Sequence, residues 1–168
     1  MPIIFLSGIV KLSSKGPILY WSNRIGRRNV DFKMPKFRSM KIDIPEVASN
    51  LLTDPMSALT SIGNFLCKSS LSEVPQFWLV IIGDMSLVGP RPALASQKDL
   101  IDLRAAKGVY NLSPGLTSLA KITRRDELIP PQKVAFDVKY LKNQNLLMDI
   151  SIIWLTLIKV FKIDGVSH

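Results

Sequence analysis

The sequence predicts a mixed α/β domain that is mainly helical with short strands. The chain has 168 residues, which is the length of one domain, so one core and one site are expected. Apolar residues recur at helical spacing over residues 134–161, which indicates one or two helices there. Earlier in the chain, the short run 18–21 (ILYW) is typical of a strand. Hydrophobic residues make up 47% of the chain, yet no run of them is long enough to span a bilayer, which excludes a polytopic membrane protein.

The chain opens with an apolar stretch, residues 2–12 (PIIFLSGIVKL). At ~1.5 Å per helical residue it reaches only about half-way across a bilayer, so we expect it to enter a membrane without crossing it. A signal peptide is the alternative, but no basic region precedes the run and no small-residue cleavage site follows it. After the strand, the basic segment 24–28 (RIGRR) indicates an exposed loop that suits phosphates or lipid headgroups. Residues 41–57 indicate a surface connection.

A helix start is predicted at Ser70. Ser70 and Glu73 have the spacing of a capping box, in which each side chain bonds the other residue's backbone N–H. The apolar segment 74–82 follows directly, and Gly83 is expected to end the helix.

The ten residues 83–92 (GDMSLVGPRP) are interrupted by glycine and proline. Pro90 and Pro92 restrict the backbone on either side of Arg91. We therefore expect the Arg91 side chain to be held in a set direction.

The second half of the chain contains further helical segments. Residues 97–107 fit a short charged helix, residues 114–117 open a loop, and the basic segment 121–126 follows. The last helical segment ends near Phe161, is rich in apolar residues and has lysines at its end. Two alternatives are open for it: it lies on a membrane surface, or it is buried in the core.

Charge and residue content narrow the function classes. The formal net charge of +9 and a sequence pI near 9.9 favour an anionic partner: nucleic acid, an anionic lipid surface or a phosphorylated substrate. Nucleic acid is disfavoured, because no recognised binding motif or base-stacking platform occurs. Cys67 is the only cysteine and His168 the only histidine. This content excludes an intrachain disulfide, argues against zinc and against histidine acid/base chemistry, and indicates a reducing, cytosolic-facing setting.

Three segments resemble one protein family closely: 36–40 (KFRSM), 70–76 (SLSEVPQ) and 83–92. They resemble the bacterial sugar transferases, which are monotopic membrane phosphoglycosyl transferases of the undecaprenyl-phosphate sugar phosphotransferase type. Weaker matches flank them in the family's order and extend the resemblance over nearly the whole chain; they lie at residues 16–17, 24–26, 114–117, 125–126 and 136–140.

The resemblance implies an activity. Members transfer a sugar 1-phosphate from a UDP-sugar to undecaprenyl phosphate, with release of UMP, in the assembly of exopolysaccharide, capsule, O-antigen or glycoconjugates. An aspartate attacks the β-phosphate and forms a covalent phosphosugar, and the glutamate after it helps to hold Mg²⁺. The resemblance places the enzyme at the cytosolic face of the bacterial inner membrane, with the membrane surface and polysaccharide-assembly proteins as further partners.

The resemblance also assigns roles to particular residues. Glu73 is implied as a catalytic residue and as the Mg²⁺ ligand, and the position of the nucleophile holds Ser72. The implied substrate-binding residues are Lys36, Arg38, Arg91, Arg125, Asp137 and Tyr140. Arginine suits two phosphate oxygens at once, whereas lysine acts as a point charge. Without the resemblance, these cations are equally consistent with surface charge, and Glu73 with a capping partner of Ser70.

Ser72 is the departure from the family pattern with the largest chemical consequence. A neutral hydroxyl needs a base to become a nucleophile, whereas a carboxylate does not. Three interpretations are open: an inactive relative, which we favour; a serine that attacks with Glu73 or Asp84 as its base; or a substitution in an otherwise active lineage. Two further departures are Lys121, where the family commonly has glutamine, and Arg124, where it has glycine.

The resemblance divides the chain into a partial membrane-inserted helix, residues 1–14, and a cytosolic domain, residues 15–168. The family's re-entrant helix begins further upstream, so we expect a monotopic membrane-associated domain with a truncated amino-terminal re-entrant helix. Two alternatives are open: the true start lies further upstream, or a charged amino terminus at the deep end of such a helix weakens its insertion. The carboxy-terminal helix and the basic surface would still hold the domain to anionic lipid.

Overall fold

The computed structural model describes residues 2–13, 16–42, 57–124 and 128–161. It is a mixed α/β fold in which helices dominate and strands are short, as the sequence predicts. The α-helices are α1 (Pro2–Ser13), α2 (Gly63–Lys68), α3 (Phe77–Ile81), α4 (Lys98–Ala106), α5 (Leu119–Arg124), α6 (Pro130–Asn143) and α7 (Leu146–Phe161). The strands are β1 (Leu19–Ile25), β2 (Asp31–Phe37), β3 (Ser86–Val88), β4 (Ala93–Leu94) and β5 (Gly115–Thr117). In these ranges no helix has both the length and the apolar character needed to cross a membrane.

Strand β1 is the centre of a three-stranded antiparallel sheet with the order β2-β1-β4. The prediction of an exposed loop at 24–28 was wrong for its first half, because β1 continues to Ile25. Arg24 pairs with Phe32 on one side and with Leu94 on the other, and its Nε donates to Ser22 Oγ at 2.8 Å. Pairing on both edges is what extends the strand through this basic residue.

The predicted helix start at Ser70 was wrong in its type and its cap. Ser70 has φ +58 and its side chain makes no capping bond; a 3₁₀ helix, Leu71–Gln76, follows and leads into α3. The carboxylate of Glu73 binds two cations, and Ser70 N donates to Cys67 O at 3.2 Å, so the predicted bond from Ser70 N to the Glu73 side chain does not form. Gly83, with φ +88, lies just beyond the end of the helix, as the sequence predicts.

Strands β3 and β5 form a separate parallel pair. Residues 114–117 were predicted to be a loop, but Gly115–Thr117 is a strand because Gly115 and Gly89 allow two backbones to approach closely. Gly89 N donates to Thr117 O at 3.0 Å, and Gly115 N donates to Pro90 O at 2.9 Å. This pairing holds the segment before Arg91 in place.

The carboxy-terminal prediction of one or two helices is confirmed, because α6 and α7 are separate helices joined through residues 144–145. The short charged helix predicted at 97–107 is α4. On α7, Ile152 is buried in a core cluster with Val88 and Tyr140. The opposite face of α7 is exposed. Burial in the core, one of the two alternatives for this helix, therefore holds for one face only.

Helix α1 packs against the body of the protein through Leu6 and Val10, which form a buried cluster with Phe37 and Leu66. Leu12, in the last turn, is 90% exposed. The boundary predicted after residue 14 stays a prediction. Most of the predicted surface connection at 41–57 lies outside the described residues.

Candidate functional site

The carboxylate of Glu73 is the centre of an ion-pair cluster. Its Oε1 lies 2.7 Å from Arg91 Nη2, and its Oε2 lies 2.8 Å from Lys121 Nζ. The side chain of Glu73 is only 13% exposed. Burial by itself raises the pKa of Glu73, but Arg91, Lys121 and Lys36 together hold that pKa well below its ordinary value. Glu73 is therefore a stable anion and a weak base.

Lys36, on β2, is the third cation near this carboxylate. Burial and the positive charge of Arg91 lower the pKa of Lys36 to about 8, although Glu73 acts in the opposite direction. Arg24 and Lys121 lower the pKa further. Three cationic side chains, Arg91, Lys121 and Lys36, thus act on one carboxylate, and the surplus of positive charge favours a bound anion. Such an anion would also stabilise the protonated form of Lys36.

A buried ion pair between Arg104 and Asp137 holds the backbone of Arg91 in place. Arg104, on α4, donates from Nη1 to the backbone oxygen of Arg91 at 2.7 Å. Its Nε and Nη2 lie 2.9 and 2.7 Å from Asp137 Oδ2, and the two side chains are 4% and 3% exposed. Burial raises the pKa of Asp137, and Arg104 offsets part of this increase. The helix pair α4 and α6 therefore fixes the backbone that carries Arg91.

Lys121 is held by the first turn of α5. Its backbone N donates to Ser118 Oγ at 3.1 Å, and Ser118 is buried. Thr117, the residue before Ser118, is anchored to α7 by a 2.6 Å hydrogen bond between its hydroxyl and that of Thr156. Lys121 also helps to line a shallow surface depression together with Ser70 and Lys159. Its side chain is 22% exposed, so an anion can reach it from solvent.

The 3₁₀ helix that carries Glu73 contains two further polar side chains, Ser72 and Gln76, and both are buried. Ser72 is 8% exposed and Gln76 is 2% exposed. Gln76 Nε2 has no hydrogen-bond partner among the described residues. Residues three apart lie on the same face of a 3₁₀ helix, so Gln76 shares a face with Glu73. This unpartnered N–H donor favours a bound hydrogen-bond acceptor on the same face, such as a phosphate oxygen.

The structure brings together some of the residues predicted for the site and separates others. Lys36, Glu73 and Arg91 are brought together. Glu73 forms an ion pair with Arg91, and the charges of both residues shift the pKa of Lys36. Arg38 lies beyond β2, where its Nη1 is buried without a hydrogen-bond partner among the described residues, close to Gly16 and Ile42.

The downstream residues predicted to bind substrate have internal partners or lie outside the described part of the chain. Asp137 binds Arg104, and the Tyr140 hydroxyl lies 2.7 Å from Asp149 Oδ1. Burial and Asp149 both raise the pKa of Tyr140. Arg125 falls outside the described residues. A role in substrate binding stays a prediction for these three residues.

Sequence reasoning missed Lys121 and Arg104 as site residues. Lys121 lies 48 positions from Glu73, and Arg104 lies 13 positions from Arg91. The available signal for Lys121 was its charge at a position where the family commonly has an uncharged glutamine. For Arg104 the sequence offered only a basic residue in the last turn of a charged helix.

The Mg²⁺ ion implied by the resemblance does not fit Glu73 in this arrangement. Both carboxylate oxygens are engaged by cations, and the described residues contain no group of three or more acidic, histidine or cysteine side chains placed to hold a metal. Mg²⁺ prefers oxygen ligands and would have to displace an ammonium or guanidinium group here. A role for Mg²⁺ stays a prediction.

A cluster of several cations on one carboxylate offers charge-assisted hydrogen bonds to an anionic ligand. Comparison with known proteins identifies the family. The bacterial sugar transferase family model matches residues 1–163, and the chain belongs to that family.

Named relatives are similar over most of this chain. A UDP-galactose-lipid carrier transferase of Erwinia amylovora is 36% identical over 97% of this chain and 37% of its own length. The exopolysaccharide production protein ExoY of Sinorhizobium fredii is 34% identical over 92% of this chain and 74% of its own. A UDP-glucose:undecaprenyl-phosphate glucose-1-phosphate transferase of Escherichia coli is 37% identical over 90% of this chain and 34% of its own. The chain thus spans about a third of the first and third relatives and about three quarters of the second.

Proposed function

We propose that this chain binds a UDP-sugar and undecaprenyl phosphate and transfers the sugar 1-phosphate between them in bacterial polysaccharide assembly. The observation that carries this proposal is the cluster of Lys36, Arg91 and Lys121 around Glu73, which has a surplus of positive charge. Both substrates present phosphate groups, which such a cluster binds with charge-assisted hydrogen bonds. The names of several relatives include a UDP-sugar or undecaprenyl phosphate, and this agrees with the proposal.

A second candidate function, nucleotide-sugar binding without turnover, is favoured by the surroundings of Ser72. Attack by its Oγ on the β-phosphorus would need a group to accept the hydroxyl proton as the Oγ–P bond forms and the bond to UMP breaks. Glu73 is a poor acceptor, because Arg91 and Lys121 occupy both of its oxygens and keep its pKa low. Asp84, the other candidate base for Ser72, lies in an exposed turn after α3.

We expect the Ser72→Asp substitution to raise the rate of UMP release at least about tenfold, because it supplies a nucleophile that needs no base. The measurement is UMP release from a panel of UDP-sugars with undecaprenyl phosphate in detergent, with and without Mg²⁺. Glu73→Ala in the Ser72→Asp background should abolish this gain, since the cations lose their central counter-charge. Ser72→Asn, which has similar size and no charge, is the matched control.

The outcomes separate the two candidate functions. Turnover by the native chain that disappears with Glu73→Ala identifies an active serine variant. Turnover only after Ser72→Asp identifies a binding scaffold without its nucleophile. If neither chain releases UMP or binds a UDP-sugar, the proposed function is wrong.

We propose further that the domain lies on the cytosolic face of the bacterial inner membrane, where polysaccharide-assembly proteins would be its neighbours. One face of α7 supports membrane association, because Leu146, Leu147, Ile150 and Trp154 are all more than half exposed there. On α3, Trp78 and Ile81 are also more than half exposed, and the net charge is +9. Exposed apolar side chains with a basic surface suit an anionic lipid interface.

The Trp154→Glu substitution is expected to reduce co-sedimentation with anionic phospholipid vesicles several-fold, because Trp154 is 64% exposed on this face. Ala105→Glu, on an exposed position of α4, adds the same charge elsewhere and is expected to leave vesicle binding unchanged. Equal binding by both variants and the native chain would contradict a role for α7 at the membrane.

A further inference from the structure

The position of Lys121 bears on which cation accompanies the phosphate ligand. Its ammonium is 2.8 Å from Glu73 Oε2, while Arg91 occupies Oε1 at 2.7 Å. Mg²⁺ would contact a carboxylate oxygen directly, at about 2.0–2.1 Å. It would then lie within a few ångströms of the ammonium, where two positive charges repel strongly at low dielectric. A Mg²⁺ ion and Lys121 therefore compete for Oε2.

Contacts at the start of α5 hold Lys121 beside Glu73 Oε2. The bond from its backbone N to Ser118 Oγ and the bond between the Thr117 and Thr156 hydroxyls fix the start of α5. The side chain is 22% exposed and ends in a charge-assisted bond. A lysine held in this way offers its charge to an incoming anion with little further ordering.

The charge balance of the cluster suits a diphosphate without added metal. Arg91, Lys121 and Lys36 contribute three positive charges when protonated, and Glu73 removes one. The diphosphate of a nucleotide sugar is esterified at both ends and brings about −2 charges at neutral pH, one for each phosphate. The unpartnered donor of Gln76 lies on the same helical face as Glu73 and adds a neutral hydrogen bond.

We infer that Lys121 takes the place of the divalent cation, so that this chain binds the diphosphate of its nucleotide ligand without Mg²⁺. The inference rests on the proposed function, because it concerns the same site. In this arrangement, Arg91, Lys121 and Lys36 neutralise the phosphate oxygens. Glu73 holds the cations together before the ligand arrives.

Calorimetric titration of the full chain with UDP in detergent, in EDTA and in MgCl₂, tests the inference. The native chain should bind UDP in both buffers with affinities that differ by less than about threefold. Lys121→Gln should bind at least about tenfold more weakly in EDTA and recover affinity in MgCl₂, since the freed oxygen can then hold the metal. Lys121→Arg keeps the charge, and Lys98→Gln removes a positive charge from an exposed position of α4; both should behave like the native chain.

A second measurement follows the binding of the metal ion instead of the affinity for UDP. Mn²⁺ serves as a paramagnetic substitute for Mg²⁺, and the free ion is followed by electron paramagnetic resonance. With UDP present, the Lys121→Gln chain should bind more Mn²⁺ than UDP alone does, whereas the native chain should add no Mn²⁺ binding.

Each result decides between distinct conclusions. Native affinity for UDP that rises threefold or more with Mg²⁺ overturns the inference and leaves the proposed function standing. Failure of the native chain to bind UDP in either buffer overturns both. The comparison of buffers needs only the native chain, so misfolding of a variant does not prevent the decision.

Discussion

Replacing Asp137 with alanine is expected to lower the free energy of unfolding by about 3–5 kcal/mol, because it leaves the buried guanidinium of Arg104 without its counter-charge. Arg104 and Asp137 are 4% and 3% exposed, so water cannot replace the lost partner. Urea unfolding followed by circular dichroism, with the slope of the transition compared between chains, measures this change.

The double substitution Arg104→Met with Asp137→Leu is the informative control for this prediction. Removing both charges together is expected to recover most of the lost stability. It should still weaken UDP binding, because the Arg91 backbone oxygen loses the 2.7 Å bond from Arg104. Native affinity in a stable double variant would contradict the positioning role assigned to this pair, and a loss below about 1 kcal/mol for Asp137→Ala would contradict its structural role.

Gly115→Ala is the second substitution for which we expect a large effect, a loss of about 2–3 kcal/mol in the free energy of unfolding. An added Cβ would lie 2.5 Å from Gly89 O and from Thr117 O, and closer still to Gly89 N. These are backbone atoms, so β3 and β5 would have to separate. Because Gly115 N bonds Pro90 O, the movement would also displace Arg91 and weaken UDP binding. Thermal unfolding and calorimetric titration measure the two effects.

Gly8→Ala provides the matched control. An added Cβ at Gly8 meets nothing within 4 Å, and the residue lies inside helix α1. Alanine favours a helix over glycine by about 0.8–1.0 kcal/mol, so this variant is expected to be as stable as the native chain or slightly more so. If Gly115→Ala is as harmless as Gly8→Ala, the close approach of β3 and β5 is not needed for the fold.

Local patterns predicted much of the fold. The helices α4, α6 and α7 follow from apolar and charged spacing over segments of nine or more residues. Gly83 ends a helix because its φ of +88 suits glycine. The failures share a cause, which is that a distant partner outweighs a local preference. Arg24 belongs to a strand because two other strands pair with it.

The candidate site was predictable only where the residues of one segment determine it. Arg91 is recognisable from the prolines beside it, and Glu73 from the resemblance. The half of the capping box that depends on Glu73 failed because Arg91 and Lys121, which lie 18 and 48 positions away, bind the carboxylate instead. Lys121 and Arg104 have no local pattern that marks them, because their importance comes from partners brought close by the fold.

The carboxylate of Glu73 joins three parts of the chain that are far apart in sequence: its own 3₁₀ helix, the segment after β3 and helix α5. None of these segments contains the site by itself, so a partly unfolded chain that has lost α5 also loses the Glu73–Lys121 pair. Ligand binding and complete folding are therefore thermodynamically linked, and a bound nucleotide should raise the unfolding temperature of the domain as one cooperative unit.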